Sequence, residues 1–241
     1  MSSLGNLKAE KSSGVVLQRL LEIAAQRQEG VSAWQSNPVE PASYDGIFDR
    51  LALGVEETQS RLAAERKAAG ARWEALLGHP QARRLVRIRN DRRFQTWGFY
   101  EFLLAKSRKL AANDPRTALQ AAELALAVAR CLDPAEHGEE RTADFQSEAH
   151  AAIAEARRGL SDRDGAWQAF EEALNCMEDG TGDPLVKAEL EHLRARLLGD
   201  SGRAEEATEA GRRAGNLFRK IGDLRMQEGH LSHLERLVAR R

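Results

Sequence analysis

The chain has 241 residues, of which 42% are hydrophobic, 30% charged and only 5% aromatic, and its 36 basic and 37 acidic residues leave a net charge of −1. That length can bury a sizeable core in one elongated or two small domains, and that composition favours charged-surfaced helices over sheets built from β-branched and aromatic residues. The near-neutral balance argues against a generally basic nucleic-acid binder, and a longest uncharged run of ten residues, Gly30 to Val39, falls short of the roughly twenty a membrane span requires.

Met1 to Ser13 is polar and lacks the apolar core of a signal sequence, which points to the cytoplasm. Val16, Leu17, Leu20, Leu21 and Ala24 then share one helical face, a candidate docking helix, and EGVSAWQSNPVEPAS reads as a Pro-containing linker. Residues 1–43 are therefore expected to be a mobile lead-in. From Tyr44 the apolar spacing alternates four and three through Phe48, Leu51, Val55, Thr58 and Leu62. Such a stripe predicts a long helix whose seam lies against another helix, either in a bundle or across a homodimer through 44–62. Gly78 to Pro80 stops it, Gln81 to Arg89 forms a short basic helix, and Asn90 and Asp91 are read as caps for an aromatic helix beginning near Arg92. Residues 44–91 make up this second region.

From residue 92 to 241 the pattern is helix, break, helix. ANDP, DPAEHG, SDRDG, EDGTGDP, GDSGR and GD separate the helical runs, and Pro115 suits a first helical turn. No segment has the character of a strand. Cys131 and Cys176 lie 45 positions apart without a CxxC pattern and are read as reduced thiols on apolar helical faces.

Small residues recur at steps of four and three in alternate helices: Ala118, Ala122, Ala125 and Leu126; Ala166, Phe170, Ala173 and Leu174; Ala207, Gly211 and Ala214. A face of small side chains lets a preceding helix approach closely. In this arrangement the chain resembles the tetratricopeptide repeat. The clearest unit runs from Glu148 to about Met177, with Ile153 and Ala154 at the usual Leu-Gly pair and Ala166, Phe170 and Ala173 in the second helix. The next has Ala195, Gly202 and Ala207, with Arg194 replacing the expected leucine. Equivalent alanines are 48 and then 41 residues apart, against about 34 in the standard repeat, so the repeats are elongated and degenerate. GTGDP before a long helix also looks like helical-repeat segments common in bacterial regulatory proteins.

The resemblance implies an all-α solenoid of antiparallel hairpins, preceded by the long N-terminal helix, with a concave face lined by first helices that takes a partner's peptide or helix. By register, Glu148, Ala151, Glu155 and Arg158 from one unit and Glu189, His192 and Arg196 from the next line that groove. A solvated helix face is the competing account of the same polar residues. The Lys/Asn set that clamps a C-terminal carboxylate in some family members is absent.

Signatures of chemistry are missing. His230 and His233 are three apart near Glu228 and Glu235 but lack a visible third ligand, while His79 and His137 fall in breaks. There is no GxSxG, HExxH or paired Cys and His, and adjacent carboxylates such as Glu171/Glu172 and Glu205/Glu206 diverge by about 100° on a helix. No enzyme activity, metal or cofactor is expected.

One stretch stands apart. Arg83, Arg84, Arg87, Arg89, Arg92 and Arg93, with Asp91, give a local charge of +5, followed by Phe94, Trp97, Phe99, Tyr100 and Phe102. The arginines suit phosphates or the rim of acidic helices, but aromatics surrounding a helix suit burial rather than base stacking. The sequence therefore predicts a non-enzymatic protein-binding scaffold or regulatory subunit, with a nucleic-acid-associated regulator using Arg83–Arg93 as the alternative.

Overall fold

The computed structural model describes residues 42–222, with side chains from residue 52 onward. Among them are nine α-helices, one 3-10 turn and no strand: α1 Ala42–Leu77, α2 Gln81–Asn90, α3 Trp97–Leu110, α4 Pro115–Ala129, α5 Pro134–His137, α6 Glu139–Gly159, α7 Arg163–Glu178, α8 Pro184–Asp200 and α9 Ala204–Ile221. The chain divides after Val55 into two compact units, and everything described below lies in the second, from Glu56. The amphipathic segment at Val16–Ala24, the linker, the apolar side chains of Tyr44, Phe48 and Leu51 and the pair His230/His233 lie outside the described residues.

Local chemistry sets the helix boundaries. Pro115, Pro134 and Pro184 stand at first helical positions, where a missing N–H costs nothing. Asp114, Asp162 and Asp183 cap the following helices by accepting from the backbone N–H of Thr117, Gly165 and Leu185. The expectation at Asn90/Asp91 needs correction. Asp91 caps only the 3-10 turn Arg92–Phe94, and the aromatic helix starts five residues later, at Trp97. Thr96 provides its cap, and the Glu65 carboxylate of α1 accepts from Gly98 N–H at 2.9 Å, satisfying a second free donor at that helix start. DPAEHG, expected as a plain break, contains the one-turn helix α5.

Consecutive helices pack as the pairs α3/α4, α6/α7 and α8/α9. Each later first helix also contacts the pair before it: α6 lies against α4 and α3, and α8 against α7 and α6. Alanines make these approaches close. Ala118, Ala122 and Ala125 in α4, Ala166 and Ala173 in α7, and Ala207 and Ala214 in α9 are completely buried, as are Ala154 and Ala195 in the first helices. The α6–α7 and α8–α9 turns share one geometry 41 residues apart. Asp162 N–H donates back to Arg157 C=O and Arg203 N–H to Leu198 C=O, each at 3.0 Å. The residue inside each turn is left-handed, Gly202 at φ +76° and Ser161 at φ +61°.

The aromatic stretch is core. Phe94, Phe99 and Tyr100 are buried with Ala69, Trp73 and Leu76 of α1, Ile88 of α2 and Leu103, while Trp97 and Phe102 are half-buried against them. Gly98 sits so close to α1 that a Cβ there would lie 2.6 Å from that of Glu65. The Tyr100 hydroxyl donates to Phe145 C=O at 2.8 Å and Ser147 Oγ to Ala173 C=O at 2.7 Å, so these two buried hydroxyls are satisfied across helix contacts.

Candidate functional site

The six polar groove candidates fall on α6 (Glu148, Glu155, Arg158) and α8 (Glu189, His192, Arg196), which touch each other. Spacings of three, four and seven residues keep each set on one helix face. They are not the independently solvated charges that an exposed helix face would carry. Five of the six join two ion-pair groups that cross between helices.

In the first group, Arg108 of α3 places Nη2 2.6 Å from Glu189 Oε2 and 3.5 Å from Glu148 Oε2. The side chains of the two glutamates are three-quarters or more buried. Asp144, one turn before Glu148, is 95% buried, and its Oδ2 accepts from both the N–H and the hydroxyl of Thr181. Its other oxygen, Oδ1, is buried with no hydrogen-bond partner and lies against Gly180, where a Cβ would come within 2.0 Å of it. Burial raises the Glu148 carboxyl to about 7, opposed by Arg108 and reinforced by Glu189, Asp144 and Asp183. Tyr100 is likewise pushed well above the usual phenol range, by burial first and then by Glu148.

The second group centres on Glu155. It receives Arg158 at 3.0 Å from its own helix and Arg196 at 2.7 Å from α8, and Arg158 reaches on to Asp200 at 2.7 Å. Burial pulls the Arg158 guanidinium down, but the Glu155 and Asp200 carboxylates more than offset this and hold its proton above the usual range. His192 packs edge-on against the Phe218 ring of α9, with centroids 6.4 Å apart. A cavity of about 380 Å3 opens at this end of the face, lined by Arg158, Trp167, Asp200 and Ser201 among others.

Arg108, Asp144 and Asp200 are central to this face but absent from the groove residues inferred from the repeat register. Arg108 lies 40 and 81 positions from its two partners. Its one visible signal was its place near the end of the aromatic helix, one repeat before the units with the clearest register.

The basic strip is divided in two by the fold. Arg84 donates to the C=O of His79 and Leu77 and to Gln120 of α4, tying α2 to the end of α1. Arg87 contacts the His79 ring and lies 6.0 Å from the Phe94 ring centroid, and Arg93 forks onto Asp91. Arg83, Arg89 and Arg92 are exposed, and their guanidiniums make no hydrogen bond or ion pair with another described residue. Val86, 54% exposed, sits between Arg83 and Arg89 on the outward side of α2. Among the described residues, acidic helices thus do not pair with the whole strip.

Cys131 and Cys176 are free and half-buried, each with its thiol pushed up by burial. Among the described residues no group of three or more His, Cys, Asp or Glu is placed to hold a metal ion, and no helix is long and apolar enough to cross a membrane. No protein-family model, curated protein or solved structure matches the chain.

Proposed function

We propose that the chain is a non-enzymatic interaction scaffold, a short solenoid of tetratricopeptide-like hairpins that holds a partner protein's peptide or helix along its first helices and regulates that partner by assembly or sequestration. The observation that carries this reading is the convergence of the groove candidates on two touching first helices, α6 and α8, with Arg108 of α3 joining them. Two features of the fold support the repeat. First helices contact both members of the preceding pair, and two successive turns repeat the same backbone bond 41 residues apart. A peptide on this face meets half-buried charges of both signs held in fixed positions, which favours recognition by geometry over bulk charge.

The second reading, a nucleic-acid-associated regulator, draws its support from the three exposed arginines of the strip that pair with no described residue. Phosphate contacts by Arg83, Arg89 and Arg92 would give binding that weakens steeply with salt. The variant suited to that reading is Arg83→Glu with Arg89→Glu, because Arg87 is already engaged with His79. Native affinity capture at two salt concentrations, with and without nuclease, separates the readings. A stoichiometric protein that survives both treatments supports the scaffold, and nucleic acid lost with salt and absent from the double variant supports the strip.

A further inference from the structure

One guanidinium nitrogen, from Arg108, serves carboxylates on two different helices, so the facing oxygens of Glu148 and Glu189 lie at most about 6 Å apart. Nearby stand Asp144, which spends one oxygen on Thr181 and leaves the other buried without a donor, and Asp183 in the loop that enters α8. Arg108 from α3, Glu189 from α8, Asp183 from its loop and Asp144 on α6 itself are the charges acting on Glu148, and Tyr100 of α3 feels the same field. With Glu148 and Glu189 both ionised, two largely buried carboxylates would share one guanidinium nitrogen, with the buried Asp144 carboxylate acting on Glu148 as well. Like charges at such separations in a partly dehydrated site disfavour full ionisation, and the group best placed to hold a proton is the one whose contact with the guanidinium is longer. That group is Glu148, at 3.5 Å.

We propose that Glu148, Glu189 and Arg108 form a proton-sensitive latch between the first helices α6 and α8: with a proton on Glu148 the guanidinium neutralises Glu189 and the helices lock together, and loss of that proton sets two carboxylates against each other across the contact. The latch regulates the face described above, but it requires no bound partner and stands or falls without one.

The direction follows from linkage. A carboxyl raised to about 7 in the folded chain, against its ordinary 4.5, contributes stability that is full below about pH 4.5 and lost as the pH rises through about 7. Glu148→Gln fixes the neutral form. The full chain and this variant are compared by urea unfolding from pH 5 to pH 8, so that titrations shared by both cancel. Wild type and variant should lie closest at pH 5, where the wild type has lost only about fourfold. By pH 8 the wild type should have lost about tenfold or more in its folding equilibrium constant relative to the variant, which becomes the more stable of the two. Carbon-13 observation of the Glu148 carboxyl in the unmutated chain gives a second reading that does not depend on the variant folding. It should titrate near neutrality, move down in Glu189→Gln and move up in Arg108→Gln. Parallel stability curves across this range, or a Glu148 carboxyl titrating near 4.5, would overturn the latch.

Discussion

Two arginine-rich surfaces of this chain meet opposite fates. On the α3–α6–α8 face, Arg108, Arg158 and Arg196 are each matched by carboxylates, mostly from another helix, and the charges are half-buried and held in place. Along α2 and the 3-10 turn after it, a denser run of arginines has only Asp91 as an acidic partner among the described residues, and Arg83, Arg89 and Arg92 are exposed. Local charge density therefore says little about which surface is neutralised. What decides is whether the fold brings acidic residues from other helices alongside, and α6 and α8 do so for their own arginines and for that of α3. A paired surface selects partners by shape and position, whereas an unpaired one attracts any polyanion and does so only at low salt.

The sharpest way to break this comparison is to ask whether the aromatics beside the strip belong to it. Phe99 is completely buried, so Phe99→Ala should cost about 3–5 kcal/mol of stability in urea unfolding. Little loss would return the aromatics to the surface and make a base-stacking platform tenable. A smaller effect separates the arginines themselves. Arg158→Ala removes a half-buried guanidinium from Glu155 and Asp200 and should cost about 1–2 kcal/mol, while Arg89→Ala should change stability by less than about 0.5 kcal/mol. Equal costs would erase the distinction between the two surfaces. Smallest is the turn at Ser161. Its left-handed backbone is carried by glycine in the equivalent turn at Gly202, so Ser161→Gly should gain about 0.5–1 kcal/mol in the same measurement. A loss there would mean that the hydroxyl, which lines the cavity beside Arg158, contributes more than the strain removes.

Much of the helical framework was legible in the sequence because short-range chemistry writes it. Pro115, Asp162 and the breaks at EDGTGDP and GDSGR mark boundaries through interactions within a few residues, and the alanine spacing exposes which faces touch. The start of the aromatic helix was misplaced because Asp91 is a sound cap in isolation. Only Thr96 and the Glu65 carboxylate, 33 residues away from Gly98, show where the helix begins. The candidate face was legible as a set of positions and illegible as electrostatics. Register put Glu148 and Glu189 on neighbouring helices, yet their shared guanidinium comes from α3, outside the two units whose register supplied them. Nor does anything local distinguish Arg84, which ties α2 to α1 and α4, from Arg83 beside it.

The most direct test of the scaffold reading is site-specific photo-crosslinking in native lysate, with the reactive side chain placed at Ala151, between Glu148 and Glu155 on α6, and in a second preparation at the exposed Glu172 on α7. The proposed function predicts one discrete protein adduct from position 151, resistant to nuclease and to raised salt, and none of that species from position 172. Adducts of equal yield from both positions, or a partner captured only from position 172, would contradict a binding surface on the first helices.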